Sequence, residues 1–250
     1  MAAGRSALAI GIGVCELVDL HGNVTSAQTI PWRGVPVQER FGRLAPAFVE
    51  ADSRAAGFCE AKFGAGRNYR IFLYLTVGTG IGSSLVLDGV PYAGARGSSG
   101  TLASSPLSTC CTECGVELRP VLEQIASGPG LVTRYNQLSA KRVEKAEEVL
   151  AAATAGNRDA VHVIRTAGEA LGVTLGLMVN MLDPEAIVVG GGLGMAGGLY
   201  WESFVASTRR HIWSDTHRDL PIVKAAHGSD AGFVGAAALA LALQRSAALS

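Results

Sequence analysis

The sequence lacks an excess of charge of either sign. Its 250 residues carry 21 basic and 21 acidic side chains, for a formal net charge of zero at pH 7. Proteins that bind nucleic acid or anionic membrane surfaces through their overall field carry a basic excess. We therefore expect no nucleic-acid partner and no membrane partner.

Long apolar runs and paired cysteines are missing as well. No stretch reaches the ~20 uninterrupted apolar residues of a membrane span, and the apolar segment 231–243 is too short and too rich in alanine. The five cysteines form an odd set with no signal peptide ahead of them, which argues against a disulfide scaffold. We expect a cytoplasmic protein.

Apolar residues and glycine are abundant. Hydrophobic residues make up 48% of the chain and charged residues 17%, a balance typical of a compact globular fold rather than a disordered chain. Glycine occupies 32 of the 250 positions, well above the usual share of about 7%. Many of these glycines follow strand-like runs, so glycine-rich loops are the first candidates for function.

Strand-like runs alternate with helical periodicity, which predicts an α/β fold. Strands are expected at 7–14, 46–50, 70–77, 83–87, 186–189 and 220–225, and helices at 37–44, 53–63, across most of 120–181 and at 230–248. The first strand is expected to pair with an extended stretch reached through the turn Asp19–Val24. A break at Gly64–Gly66 predicts a boundary between a first lobe, 1–66 with the closing helix 231–250, and a second lobe, 67–230.

Two glycine loops directly follow predicted strands. Gly78, Thr79 and Gly80 form the tip of a predicted hairpin, and Gly190, Gly191 and Gly192 precede a helix. Glycine lets backbone N–H groups converge on an anion, and a threonine hydroxyl adds a donor. Such tips also arise from turn geometry alone, and neither loop matches a P-loop or a dinucleotide fingerprint.

Two carboxylates are candidates for chemistry. Asp52 follows a predicted strand and precedes a helix, where it either accepts a proton from a hydroxyl nucleophile or caps the helix beginning at Ser53. Glu123 is either a helix-surface residue or an acceptor for substrate hydroxyls. The mixed-charge run 141–148 is typical of a solvated helix face and is expected to have no binding role.

Cys111 and Cys114 have near-zinc spacing, but the sequence offers no second cysteine pair or nearby histidine. A closed zinc site needs four ligands. Bound zinc is therefore a candidate with an incomplete ligand set.

In this order, the motifs resemble the ROK family of bacterial sugar kinases and related repressors, and its glucokinase-like members in particular. The matching stretches are Ala9–Val14, Leu17–Asp19, Val49–Asp52 with Glu60, Leu75–Gly82, Leu85–Gly89, Gly94–Gly97 with Gly100, Leu122–Glu123, Ala126–Gly128 and Asp183–Gly192. The resemblance implies the actin-like, ribonuclease-H-like ATPase fold with two lobes. It also implies a cleft between the lobes that holds ATP·Mg²⁺ and a sugar-like compound.

The resemblance assigns roles to the candidate residues. Asp52 would be the general base, and Gly78, Thr79 and Gly80 would hold phosphates. Gly190, Gly191 and Gly192 would lie near the adenosine, whereas Glu123 and Gly100 would belong to the sugar site. A homodimer would be usual for such a protein.

Several departures from the family pattern affect these expectations. The Asp-x-Gly-Gly-Thr phosphate loop that opens the family kinases has no counterpart, so the first lobe is expected to be incomplete at its N-terminus. Ala51 replaces an asparagine, Gly100–Ser104 lacks a sugar-binding glutamate and a zinc-ligating histidine, and Cys15–Glu16 replaces a Pro-Gly loop near the sugar.

Three functions fit this pattern. The first is a kinase for a sugar or cyclitol other than glucose, and the second is a non-catalytic sugar-binding or regulatory protein. The third, a DNA-binding repressor, is disfavoured because residues 1–6 leave no room for a helix-turn-helix segment and the charge is neutral.

Overall fold

The computed structural model describes residues 7–247 except 108, 111–113 and 116. Its strands are β1 (Ile10–Val14), β2 (Ala47–Ala51), β3 (Ile71–Val77), β4 (Ile81–Leu87), β5 (Val90–Pro91), β6 (Thr109–Cys110), β7 (Glu117–Leu118), β8 (Ala186–Gly190) and β9 (Ile222–Lys224). Its helices are α1 (Val37–Gly42), α2 (Asp52–Phe63), α3 (Leu122–Ala126), α4 (Gly128–Leu138), α5 (Ala146–Thr154), α6 (Arg158–Leu182), α7 (Gly192–Met195), α8 (Gly198–His211) and α9 (Ala231–Ala247). The predicted α/β class is confirmed.

The chain forms two compact units. Among the described residues, the first unit contains 7–74, 83–100 and 225–247, and the second contains 75–82 and 101–224. The strand order β5-β4-β3-β8-β9 runs through a five-stranded sheet, in which β3 and β4 each begin in one unit and end in the other. The lobe boundary near residue 66 stays a prediction.

The first unit is built on a parallel pair of strands. β1 lies beside β2 with Ile10 opposite Ala47 and Val14 opposite Ala51. The core of this unit gathers buried apolar side chains from the strands and the segments that follow them, namely Val14, Val18, Val24, Val37, Val49 and Ala51.

The predicted pairing of the first strand with the stretch after Asp19–Val24 is wrong. The Asp19 carboxylate accepts hydrogen bonds from the backbone N–H groups of His21 and Asn23, both at 2.8 Å. This closes a tight turn, so that Val18 and Val24 form only an isolated antiparallel bridge. The partner of β1 is instead β2.

A buried carboxylate joins the closing helix α9 to α2. Glu60 is fully buried and accepts hydrogen bonds from the backbone N–H groups of Ala65, Ala226 and His227 at 2.8–3.1 Å. Glu60 thus joins α2 to the segment that leads into α9.

The second unit is dominated by the pair α6 and α8. α6 ends at Leu182, and Asp183, with its left-handed backbone (φ 48°), caps it. Tyr200 of α8 is buried and donates a hydrogen bond of 2.7 Å to the carbonyl of Ala126, at the end of α3. Of the helices in the described ranges, none combines the length and apolarity needed to cross a membrane.

Candidate functional site

A cavity of about 590 Å³ in the second unit contains residues from both predicted glycine loops. Gly78 and Thr79 at the hairpin tip and Gly192 at the start of α7 line its wall. A Cβ atom on Gly78 would lie 3.8 Å from the backbone nitrogen of Gly192. Two segments more than 100 residues apart in sequence therefore meet at one surface.

Backbone hydrogen bonds fix the hairpin tip. The N–H of Gly78 donates to the carbonyl of Gly80 at 2.9 Å, and the carbonyl of Gly78 accepts from the N–H of Gly128 at 2.8 Å. Gly128 is the first residue of α4, whose N-cap Ser127 accepts from the N–H of Gly130. The positive end of the α4 dipole thus lies beside the tip, an arrangement that favours an anion.

Gly191 supports the second loop at its closest approach to β3. Its φ is +80°, and a Cβ atom there would lie 2.4 Å from the carbonyl oxygen of Val77. Any other residue would be strained and would clash with the backbone of β3. Gly190 ends β8 and is buried, whereas Gly192 has open space where a side chain would project.

The rest of the cavity wall is apolar, with charges at its rim. Val132, Leu150, Leu193 and Ala196 line the apolar part, and Glu144, Lys145 and Glu147 are exposed lining residues. The exposure of Glu144, Lys145 and Glu147 agrees with the expected solvated face at 141–148, and the absence of a binding role there stays a prediction.

Glu123 lies beside the hairpin tip rather than on a free helix surface. Its Oε2 atom accepts a hydrogen bond of 2.8 Å from the N–H of Ile81, and its side chain is half-buried. It lines a second cavity of about 860 Å³ that also includes Thr79 and Arg134. Thr79 therefore borders both cavities.

Asp52 belongs to the first unit. It is the first residue of α2, and Ala51 occupies the N-cap position, so the helix-capping interpretation does not describe it. Its carboxylate accepts a hydrogen bond of 2.6 Å from the N–H of Ser53. The side chain is accessible to solvent, and desolvation by the surrounding protein raises its pKa above the usual value, against the opposing effect of the Ser53 bond.

Glu16, which replaces part of the family's Pro-Gly loop, is a buried residue of the first unit. Its carboxylate accepts hydrogen bonds from the hydroxyl of Ser26 and the N–H groups of Gln28, Thr29 and Ile30. Burial alone would raise its pKa, but these donors outweigh burial and lower the pKa to about 2. No local sequence pattern indicates this anchor, because its partners lie 10–14 residues away.

Three predicted residues remain, namely Gly100, Cys111 and Cys114. Gly100 is in the first unit, with φ +79°, and its carbonyl accepts a hydrogen bond of 2.9 Å from the hydroxyl of Ser83. Cys111 lies outside the described residues, and Cys114 is exposed with a free thiol. Within the described ranges, no cluster of three or more His, Cys, Asp or Glu side chains could hold a metal ion, and the zinc site stays a prediction.

The structure thus brings Gly78, Thr79 and Gly192 to one cavity, with Glu123 beside the same hairpin. Asp52 and Gly100 occupy the first unit.

Comparison with known proteins gives the family. The model of the ROK family matches residues 1–243. The chain belongs to the ROK family. It is 32% identical to a glucokinase of Streptomyces coelicolor over 95% of this chain and 81% of that protein.

Other ROK proteins extend the comparison to structure and to substrates. The ROK family glucokinase of Streptomyces griseus, in complex with glucose and AMPPNP, matches with a TM-score of 0.81 and 28% identity, over 96% of this chain and 83% of that one. This likeness confirms the actin-like ATPase fold. An N-acetyl-D-glucosamine kinase of Haemophilus influenzae is 30% identical over 81% of this chain and 68% of that protein. The ROK relatives also include xylose repressors.

Proposed function

We propose that this ROK protein transfers the γ-phosphoryl group of ATP to a hydroxyl of a sugar or cyclitol. The observation that carries the proposal is the cavity of the second unit, which unites Gly78, Thr79 and Gly192 on one wall. Related proteins named as glucokinase and N-acetyl-D-glucosamine kinase support a sugar as the acceptor.

The cavity fits ATP by the chemistry of its wall. The Thr79 hydroxyl provides a donor suited to phosphate oxygens, and the positive end of the α4 dipole lies beside the Gly78–Gly80 tip. Val132, Leu150 and Leu193 provide apolar surface suited to a purine base. Mg²⁺, arriving with the nucleotide, would neutralise phosphate charge during transfer.

Asp52 would act as the general base. A raised pKa makes a carboxylate a better proton acceptor while it remains ionised at neutral pH. Asp52 would take the proton of the attacking hydroxyl, and the oxygen of that hydroxyl would form the new bond to phosphorus as the bond to ADP breaks. Glu123 and Gly100 would orient the acceptor ring.

The test is calorimetric titration with ATP·Mg²⁺, with and without a panel of hexoses and cyclitols, followed by an ADP-release assay. Asp52→Asn should lower turnover about 10²- to 10⁴-fold, because general-base catalysis is lost, while sugar binding stays nearly unchanged. Asp219→Asn is the matched control, since that side chain is 96% exposed. Equal turnover in Asp52→Asn and the wild type would refute the role of Asp52.

A non-catalytic sugar-binding regulator is the second candidate. The presence of xylose repressors among the relatives supports it, as does Ala51 in place of the asparagine expected before Asp52. A folded sample that binds sugar without binding ATP or releasing ADP would favour this function. The cytoplasmic location, the homodimer and the bound zinc stay predictions.

A further inference from the structure

Arg54 is a buried cation close to the proposed base. It lies two residues after Asp52 in the first turn of α2, and its side chain is 3% exposed. A buried guanidinium destabilises a protein unless its donors are paired and its charge is balanced. Its partners therefore reveal what it holds in place.

Those partners come from three separate segments of the first unit. The Nε atom donates to the Glu50 carboxylate of β2 at 2.7 Å. The two terminal nitrogens donate to the carbonyl of Gly97 at 2.7 Å and to the carbonyl of Val18 at 2.8 Å. Arg54 thus ties α2 to the end of β2, to the turn after β1 and to the loop that contains Gly97.

The two carbonyls are brought to Arg54 by direct backbone packing. Gly97 has φ +78°, and a Cβ atom there would lie 2.1 Å from the carbonyl oxygen of Val18. The planar fork of arginine can donate from three separate nitrogens to both carbonyls and to a carboxylate at once, whereas the three donors of a lysine ammonium all lie on one nitrogen. This junction requires arginine for geometric as well as electrostatic reasons.

We propose that Arg54 is a positioning residue that fixes the acceptor-binding loop 97–100 relative to Asp52. The Asp52 carboxylate accepts from the backbone of Ser53, and no side chain within the described ranges donates to it. Its location is therefore set by the start of α2, which Arg54 anchors. Gly100, proposed to contact the sugar, lies three residues beyond Gly97 in the loop that Arg54 holds.

This inference rests on the proposed function, because it assigns Arg54 an effect on phosphoryl transfer to the sugar. A displacement of about 1 Å between a base and its substrate can lower a rate about 10²-fold. Arg54→Lys should keep the buried charge opposite Glu50 but release at least one carbonyl. We expect kcat/KM for the sugar to fall about 10- to 100-fold, with the KM for ATP within about twofold of the wild type.

The experiment compares Arg54→Lys with Arg43→Lys, a control at a side chain of the first unit that is 75% exposed. Steady-state kinetics are measured for both substrates, and melting temperatures report folding. Arg54→Lys is repeated in the Asp52→Asn background, where its effect on kcat should disappear if Arg54 acts through Asp52. A lower melting temperature with unchanged kinetic constants for the sugar would overturn the proposal.

Hydrogen exchange separates this inference from the proposed function. Arg54→Lys should speed amide exchange in segments 17–24 and 94–100 together, and Arg43→Lys should not. If the wild type transfers no phosphate to any sugar but both segments loosen in Arg54→Lys, the proposed function fails while the joining role of Arg54 stands. Unchanged exchange in these two segments would refute the joining role itself.

Discussion

The α-carbon of Gly191 lies so close to β3 that a Cβ atom there would be 2.4 Å from the carbonyl oxygen of Val77. The neighbouring Gly192 has no atom within 4 Å of its Cβ position. Two adjacent glycines of one loop therefore have different roles. Gly191 allows the chain to cross β3, and Gly192 leaves the cavity open.

Gly191→Ala should destabilise the fold, whereas Gly192→Ala should not. A left-handed residue other than glycine costs about 1–3 kcal/mol before any clash is counted. We expect Gly191→Ala to lower the free energy of unfolding in urea by at least about 2 kcal/mol. Gly192→Ala is the control, and equal stability of the two variants would show that the loop can move away from Val77.

Much of the fold could be predicted from the sequence because its signals are local. The apolar run Ile71–Val77 depends on residues that are neighbours in the chain. The parallel partner of β1 could not be predicted, since the pairing of Ile10 with Ala47 joins segments far apart in the sequence.

Only part of the candidate site could be predicted, because sequence patterns indicate local features and not contacts between distant segments. Glycine and threonine at 78–80 have a composition that indicates anion binding, so they could be singled out. The anchors Glu16 and Arg54 gave no such signal, because a buried carboxylate and a buried guanidinium are defined by backbone partners far away in the sequence.

Asp52→Asn should leave the protein at least as stable as the wild type at pH 7. Because desolvation raises the pKa of Asp52 in the folded state, the stability associated with its protonated form is present below about pH 3.8 and is lost as the pH rises through the folded pKa. Asparagine avoids that loss and can still accept from Ser53. Melting temperatures should therefore favour the variant at pH 7 and converge below pH 3.8.

The pH–rate profile offers a companion measurement. The acid limb of kcat/KM should lie above pH 3.8, because the base must be ionised and its pKa is raised. The pH of this limb should be the same for every sugar that the enzyme accepts.

The stability prediction has its own contradicting outcome. It would be wrong if the wild type lost more stability relative to Asp52→Asn at pH 3 than at pH 7.

Glu16 should stabilise the protein at neutral pH and lose that effect in acid, so Glu16→Gln should lower the free energy of unfolding at neutral pH. This pH dependence is the reverse of that of Asp52. The folded pKa of about 2 lies below the ordinary value of 4.5, so the contribution is present above pH 4.5 and is lost as the pH falls toward 2. Replacing a charged acceptor of several hydrogen bonds should lower the free energy of unfolding by about 1–3 kcal/mol at pH 7. In urea titrations, the difference in free energy of unfolding between the wild type and Glu16→Gln should be smaller at pH 3 than at pH 7. An equal difference at both pH values would show that an ionised Glu16 does not cause it.

Glu123 has a structural contact and a proposed substrate role, and two substitutions separate them. Glu123→Gln keeps a side-chain oxygen that can accept from the N–H of Ile81, so the hairpin tip and ATP affinity should be preserved. Glu123→Ala removes that acceptor, frees the tip and should weaken ATP binding several-fold, since a lost hydrogen bond costs about 1 kcal/mol.

If Glu123 also binds ring hydroxyls, Glu123→Gln should still raise the dissociation constant of the sugar about tenfold, because charged acceptors bind more strongly. Calorimetric titrations with ATP and with the sugar, done separately, measure the two affinities. If Glu123→Gln binds the sugar as tightly as the wild type does, Glu123 only stabilises the hairpin tip.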